Sequence, residues 1–103
     1  GLKAGKPSMA LFDVLGQSWA LWVIWHLSGG PMTFRQIQHN CEKVSPTVLN
    51  KRLKELTSSG LVARGNTGYQ LTVAGAELFV ILKPFGAWSI RWAESLSSNE
   101  AEQ

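Results

Sequence analysis

The stretch from 44 to 65, VSPTVLNKRLKELTSSGLVARG, separates its apolar and polar side chains as an amphipathic helix does. At 100° per residue, Leu53 and Leu56 lie within about 40° of Leu49, which predicts a buried stripe. The opposite side and its flank carry hydroxyl, amide and ammonium groups with almost no acid: Thr47, Asn50, Lys51 and Lys54. Groups of this kind form hydrogen bonds and neutralise phosphates, which is the chemistry of contact with a polyanion.

A helix in the major groove of DNA reads base edges with short polar side chains near its N-terminus and holds phosphates with cations further along. Six residues suit these tasks: Ser45, Thr47, Asn50 and Lys51 for bases, and Arg52 and Lys54 for phosphates. The helix dipole also directs its positive end toward the nucleic acid. The alternative interpretation of the same pattern is an ordinary solvated face.

The segment that precedes this helix adds three candidate contacts: Thr33, Arg35 and Gln36. Thr33 and Gln36 form a T-x-x-Q capping box, so Thr33 has a structural role whether or not it also touches a phosphate. In a helix-turn-helix this segment crosses the sugar-phosphate backbone. Arg64, in a later strand-like run, is a candidate for a minor-groove or phosphate contact and is equally compatible with a free surface position.

Other chemistries find little support in the residue pattern. His26 lies in an apolar helical segment, which is typical of a packed histidine, and His39-x-Cys41 has no third or fourth metal ligand nearby. The sequence shows no Gly-rich phosphate loop, no paired carboxylates and no nucleophile elbow. We therefore expect no enzymatic activity, no metal and no cofactor. Cys41, the single cysteine, fits a reducing cytosol and is expected to be a small core residue.

The charge of the chain is concentrated in one part of the sequence. The 103 residues carry a net +3, with 45% hydrophobic and 17% charged residues, which fits one globular domain. From Arg35 to Arg64 there are six basic and two acidic side chains, whereas the remainder has four basic and five acidic ones. This distribution is typical of a nucleic-acid-binding surface.

Three helices are predicted before the basic stretch. Ser8 is the expected N-cap of the first helix, which Gly16 interrupts. The second covers about 18–27 and stops at Ser-Gly-Gly-Pro, residues 28–31. The third begins at Thr33 and runs to about residue 40.

The basic helix and the elements after it have equally clear limits. Ser45, followed by proline, predicts the N-cap, and Gly60 predicts a Schellman-type end. Two strand-like runs around 66–68 predict a tight hairpin. Thr72 is expected to cap a last helix, which Pro84 should kink or break.

This order of elements predicts a winged helix-turn-helix: a mainly α fold with a small β-hairpin and with N- and C-terminal helices available for dimerisation. We expect a single domain over 8–97, with flexible tails at 1–7 and 98–103.

Several motifs occur together along the chain. They are D-x-L-G-x-x-W at 13–19, G-P-x-x-F-x-x-I at 30–37, S-x-x-x-L-x-x-R-L-x-E-L-x-x-x-G-L-V at 45–62 and Y-x-L-T-x-x-G at 69–75. In these motifs the sequence resembles the HxlR-type winged-helix transcriptional regulators, and the resemblance covers roughly residues 11–92. This family is similar to the MarR regulators.

The resemblance implies a homodimer that binds an operator of two-fold symmetry through paired recognition helices. It implies that the DNA-facing set is Ser45, Thr47, Asn50, Lys51 and Arg52. Wings in the family are usually longer, so Arg64 is the one strong wing candidate. Some members sense oxidants through an N-terminal cysteine, and because no cysteine precedes Cys41, thiol sensing is not expected.

Five tryptophans are more aromatic area than one small domain readily buries. Two interpretations, which do not exclude each other, stay open. In one, the terminal helices form a homodimer through Leu11, Phe12, Ile81, Leu82, Phe85, Trp88 and Trp92. In the other, tryptophans line a pocket for a small aromatic effector.

The sequence thus predicts a cytoplasmic, nucleoid-associated homodimer that binds double-stranded DNA and regulates transcription. Repression is the simpler expectation, because a dimer that blocks an operator needs no further partner. The apolar run at 19–27 is about half the length of a membrane span, so no membrane association is expected. The alternatives are a winged-helix protein-interaction module and a regulator that senses an aromatic effector.

Overall fold

The computed structural model describes residues 6–42 and 44–102. Its elements follow the predicted order of helix, helix, helix, helix, hairpin, helix. They are α1 (Pro7–Leu15), α2 (Ala20–Leu27), α3 (Phe34–Asn40), α4 (Pro46–Ser58), β1 (Val62–Gly65), β2 (Gly68–Leu71) and α5 (Val73–Glu102). The fold is mainly helical with a two-stranded antiparallel hairpin.

The helix limits around the predicted recognition helix are confirmed. The Thr33 hydroxyl accepts a hydrogen bond from the Gln36 amide at 3.2 Å, and the Gln36 side chain accepts one from the Thr33 amide at 2.8 Å. Ser45 accepts from the Val48 amide at 3.1 Å and so caps α4. At the other end of α4, Gly60 adopts a φ of 78° and the Leu61 amide donates to the Leu56 carbonyl, which is the Schellman geometry.

The first two helices begin differently from the prediction. Proline is favoured at the first position of a helix, and α1 accordingly starts at Pro7, without a side-chain cap from Ser8. The second helix starts at Ala20 instead of Ser18, because Trp19 adopts a left-handed conformation with a φ of 72°. For a bulky residue this conformation costs about 1–2 kcal/mol, which the surrounding packing must offset.

The hairpin is bound to the start of α3. Its register pairs Val62 with Leu71, and Met32 adds a further bridge to Tyr69 through hydrogen bonds of 2.8 and 2.9 Å. Gly68 has a φ of 122°, and a Cβ at this position would clash with the Met32 backbone. The close approach fixes the position of the wing relative to α3.

The core lies beneath α4. The three leucines of the predicted stripe, Leu49, Leu53 and Leu56, are buried and pack with apolar residues of α2, α3 and β1. Each buried leucine contributes about 1.5–3 kcal/mol relative to an exposed one. This burial determines which side of α4 remains in solvent. By contrast, α1 has no buried residue.

The last helix is continuous through Pro84, so the prediction of a possible break there is wrong. Thr72 accepts a hydrogen bond from the Gly75 amide at 3.0 Å and begins the helix as expected. Leu78, Phe79 and Leu82 pack against the core and hold α5 on the domain. Residues 98–102, which were expected to form a tail, continue α5, and residues 1–5 of the other predicted tail lie outside the described residues.

Candidate nucleic-acid interface

The exposed face of α4 is polar and basic. Thr47, Asn50, Lys51 and Lys54 are all exposed, as is Ser45 at the N-cap. The first turn of α4 contains no acidic residue, so its N-terminal dipole is free to act on an anion. The face therefore presents hydrogen-bonding groups first and ammonium groups further along the helix.

Further candidate contacts lie at the start of α3 and in the wing. Thr33, Arg35 and Gln36 are exposed at the first turn of α3, although the side chains of Thr33 and Gln36 are engaged with each other as caps. Arg35 and Gln36 also line a shallow cleft of about 550 Å³ together with His39. In the wing, the guanidinium carbon of Arg64 lies 5.5 Å from the centre of the Tyr69 ring, and this cation–π contact orients an exposed arginine.

The cations of this surface are available for external anions. Among the side chains of residues 6–42 and 44–98, the structure contains one ion pair, between Arg52 and Glu55. Lys51, Lys54, Arg35 and Arg64 have no carboxylate within bonding distance in that part of the chain. A polyanion that approaches α4 thus meets positive charge that no internal pair neutralises.

Arg52 does not belong to this surface, and its predicted contact with DNA is wrong. The residue is only 8% exposed. Its Nε donates to the Ser18 carbonyl at 2.7 Å, and its Nη1 donates to both carboxylate oxygens of Glu55 at 3.2 Å. The position of Arg52 near the leucine stripe turns it inward, and Glu55 three residues later was the sequence signal for an internal pair.

Cys41 lies in the core, as expected, and is fully buried. Burial raises the pKa of the Cys41 thiol above its ordinary value of 9.0, because the thiolate would lose its hydration. A neutral, enclosed thiol is a poor nucleophile. The residue is therefore unsuited to capture an oxidant or an electrophile while the protein is folded.

We expect Cys41 of the folded protein to react with iodoacetamide at least about a hundredfold more slowly than in denaturant, since alkylation requires local opening. Mass spectrometry of timed samples measures both rates. Equal alkylation rates in the two states would place the thiol at the surface.

The raised pKa of Cys41 also makes the stability of the fold depend on pH. Its contribution to stability is complete below pH 9.0 and is lost as the pH rises through the folded pKa.

The predicted dimer residues divide into an exposed group and a packed group. Ile81, Phe85, Trp88 and Trp92 are exposed along one side of α5, where the Trp88 and Trp92 rings stack with centroids 6.2 Å apart. Phe12 of α1 is also exposed. Leu82 and Leu11 are half-buried and pack against the core of the same chain, so they offer less surface to a partner.

No tryptophan lines the shallow cleft on α3 or the cavity next to α4. A cavity of about 750 Å³ lies between α1 and the C-terminal half of α4, lined by apolar residues such as Leu11 and Val14 and by the polar Lys54 and Ser58, with no tryptophan. Trp25 instead packs edge-on against Phe79 and lies over Gly86 of α5, where an added Cβ would approach its ring to 3.0 Å. A tryptophan-lined effector pocket therefore stays a prediction.

The two histidines lie in separate surroundings among the described residues. His26 packs edge-on against Trp22 at 5.0 Å, and its buried Nε2 has no hydrogen-bond partner among the described residues. His39 is exposed at the edge of the shallow cleft on α3. The described residues contain no cluster of three or more histidine, cysteine or acidic side chains that could hold a metal.

The length and composition of α5 raise a separate question. Val73–Ser98 is long and apolar enough to cross a membrane by those two criteria alone, with a mean hydropathy of 1.4 and 6% burial of its most apolar stretch. Its first turns, however, pack against the soluble core through Leu78, Phe79 and Leu82. A membrane span beginning at Val73 would have to withdraw these residues from the core, which favours a protein partner for the exposed surface.

Comparison with known proteins decides the family. Residues 14–97 match the model of the HxlR-like helix-turn-helix family. This range includes the elements from α2 to β2 and most of α5. The chain belongs to this family. Its motifs, its wing and its long C-terminal helix are therefore those of an HxlR-like transcriptional regulator.

Relatives of this HxlR-like chain agree with that assignment. It is 30% identical over 96 residues to the HTH-type transcriptional regulator YodB of Bacillus subtilis, covering 85% of this chain and 86% of YodB. The crystal structure of quinone-bound YodB superposes with a TM-score of 0.75 at 32% identity, covering 84% and 99% of the two chains. A possible HxlR family transcriptional factor from Thermoplasma volcanium has a TM-score of 0.78 at 27% identity over 87% of each chain.

The fold extends beyond this family. A MarR-family regulator from Enterococcus faecalis superposes with a TM-score of 0.73 at 20% identity, covering 94% of this chain and 97% of that protein. At this identity the likeness concerns the fold alone. It supports the winged-helix architecture that the order of elements predicted.

Proposed function

We propose that this HxlR-like regulator binds a pseudo-palindromic DNA operator as a homodimer and represses transcription by occupying it in the cytoplasm, on the nucleoid. The observation that carries the proposal is the exposed face of α4. Its leucine stripe is buried, and its hydroxyl, amide and ammonium groups are left in solvent with no internal ion pair among the described residues. Few structural roles require that combination.

The geometry of α4 suits a major groove. The groove of B-DNA is about 12 Å wide and admits one helix, whose N-terminal residues meet the base edges. Ser45, Thr47 and Asn50 lie in that part of α4, and Lys51 follows. The start of α3 and the wing, which the Met32–Tyr69 bridge connects, carry the remaining candidates for phosphate contacts.

A second copy accounts for the exposed side of α5. A monomeric soluble protein rarely exposes a contiguous apolar patch as large as the one that includes Ile81, Phe85, Trp88 and Trp92. Pairing of two such helices would cover both patches and place two α4 helices on one duplex. An operator of two-fold symmetry would then match the symmetry of the protein.

Electrophoretic mobility shift at two salt concentrations tests the proposal through Lys54→Ala. If Lys54 contacts one phosphate in each protomer, the loss of two contacts lowers the slope of log K against log salt by about two units and weakens binding to all sequences similarly. Lys83→Ala is the matched control, since it removes one exposed lysine from α5, away from the proposed surface. The control should bind as the wild type does.

Two results would contradict the proposal. Absence of any salt-dependent duplex binding by the wild type would assign the winged helix to protein interaction, with the basic face merely solvated. Equal slopes for Lys54→Ala and the wild type would show that Lys54 does not contact DNA. Lys54 would then have a place only in the wall of the cavity between α1 and α4.

Effector sensing is a second candidate, favoured by that cavity and by the quinone-bound state of YodB. In this chain a quinone could not be captured through Cys41, which is buried. A flat aromatic molecule would instead bind reversibly between α1 and α4. Calorimetric titration with a hydroquinone tests this binding. A heat of binding that is lost in Leu11→Trp, whose larger side chain fills the cavity, would support effector sensing. No heat of binding in the wild type would contradict it.

A further inference from the structure

The side chain of Arg52 forms a contact that spans distant parts of the fold. Its Nε donates to the carbonyl of Ser18, 34 residues earlier, at 2.7 Å. The pair with Glu55 lies within α4 and holds α4 to nothing else. Among the side-chain hydrogen bonds of the described residues, the Arg52–Ser18 bond is the one that joins the recognition helix to the corner between α1 and α2.

This corner has little freedom of its own. Four residues, 16–19, connect α1 to α2. The Gly16 and Gln17 amides donate to carbonyls of α1, and the Ala20 amide donates to the Gln17 carbonyl. The Ser18 carbonyl belongs to the peptide that leads into Trp19, whose φ of 72° is rare for a bulky side chain. A charged donor on that carbonyl fixes the direction of the peptide and stabilises the left-handed turn.

The direction of α1 depends partly on the corner, because no residue of α1 is fully buried and Leu11, Val14 and Leu15 pack against the core only in part. The pair with Glu55 offsets part of the cost of burying the guanidinium charge, since the residue is only 8% exposed. The planar fork can donate to Ser18 and Glu55 together, whereas an ammonium offers a single centre. Arginine is therefore the residue type that this junction requires.

We infer that Arg52 is a positioning residue that sets the angle between α1 and α4, and through it the separation of half-sites that the dimer accepts on DNA. The inference rests on the proposed function, in which α5 pairs the two copies, and on the predicted place of the exposed Phe12 of α1 in the same interface. One added base pair moves a half-site by about 3.4 Å and rotates it by about 34°. A dimer with a rigid corner cannot follow that change, and one with a loose corner can.

The experiment measures spacing preference separately from base preference. Half-sites selected from a random pool by the wild type are joined with spacers that differ by one base pair, and binding is compared by competition. The wild type should prefer its own spacing by about tenfold or more, as one mismatch in a site typically costs. Arg52→Met, which keeps the length of the side chain but has no donor, should reduce that preference to about threefold or less. Its preference for bases within each half-site should be unchanged.

Glu55→Gln is the matched control, because it removes the ion pair and leaves the Arg52–Ser18 bond in place. It should keep the spacing preference of the wild type within about twofold. Arg52→Lys, which retains the charge, is measured in parallel. This variant should also reduce the preference for one spacing, since one ammonium cannot satisfy both Ser18 and Glu55. Thermal unfolding is recorded for all variants.

Each outcome decides the inference. Unchanged spacing preference in Arg52→Met, or a parallel loss of base and spacing preference, would overturn it, as would unfolding of both arginine variants. A wild type that selects no paired half-sites would contradict the proposed function itself, and the two failures are therefore distinguishable.

Discussion

Replacing Trp92 by glutamate is expected to convert the dimer into a monomer and to lower operator affinity by about a hundredfold or more, since two linked half-sites bind 10²–10⁴-fold better than one. Trp92 is 51% exposed and stacks on Trp88, in the middle of the apolar side of α5. A carboxylate buried in an apolar interface without a partner costs several kcal/mol. Sedimentation equilibrium measures the association, and mobility shift measures DNA binding.

Ile90→Glu is the matched control for this prediction. Ile90 is also an exposed apolar residue of α5, with 61% exposure, but it lies about 160° around the helix from Trp92. The control should remain a dimer and bind the operator normally. Dimerisation that survives Trp92→Glu but not Ile90→Glu would show that the opposite side of α5 forms the interface.

The association of the wild type in buffer also bears on whether the long apolar helix α5 serves a membrane. If the helix served a membrane, the wild type would bind lipid vesicles and would remain monomeric in their absence. The proposed function predicts a dimer in buffer and no vesicle binding. Flotation of the wild type with neutral vesicles separates these two outcomes.

The second large effect is expected at the bases. Asn50→Ala and Lys51→Ala should each cost about 1–3 kcal/mol of operator affinity per lost base contact and should relax the preference at one position of each half-site. Both side chains are exposed in the first half of α4, and neither supports the core. Their loss should therefore leave the thermal stability nearly unchanged. Competition with operators altered one base pair at a time measures the preference.

Ser58→Ala is the control for the base contacts. Ser58 is exposed on α4 about 10 Å further along the helix than Lys51, beyond the part of a recognition helix that meets bases. It should keep the full sequence preference. If Asn50→Ala and Lys51→Ala retained that preference as well, the reading of bases would have to be assigned to other residues.

Local sequence signals predicted the helix ends at which a single residue satisfies or terminates the backbone hydrogen bonds of the helix. Thr33, Ser45 and Gly60 each act within four residues of their own position, so the pattern contains all the necessary information. The leucine stripe of α4 was predictable for the same reason, since one helical period determines its buried side.

The errors arise where a distant contact decides the outcome. Glu55 was a local signal for the ion pair of Arg52, but the bond from Arg52 to a carbonyl 34 residues away has no local signal. The left-handed Trp19 depends on the same corner. Pro84 does not end α5, and packing of that helix on the core, including Gly86 beneath Trp25, is a tertiary contact that propensity does not contain.

The candidate DNA surface was predictable as a set of residue types but not as a geometry. Exposure of Lys51 and Lys54 followed from the helical period, whereas the link between the wing and α3 required the bridge from Met32 to Tyr69. The tryptophan surplus followed from the sequence, whereas the position of Trp88 and Trp92 on the outside of α5 required the structure.

Selection of bound duplexes from a random pool by the wild-type protein tests the central claim most directly. The exposed face of α4, presented twice by a dimer, should enrich a short motif that occurs as two inverted copies with centres about one or two helical turns apart. Recovery of duplexes with no common sequence, or of a single motif without an inverted copy, would contradict the account.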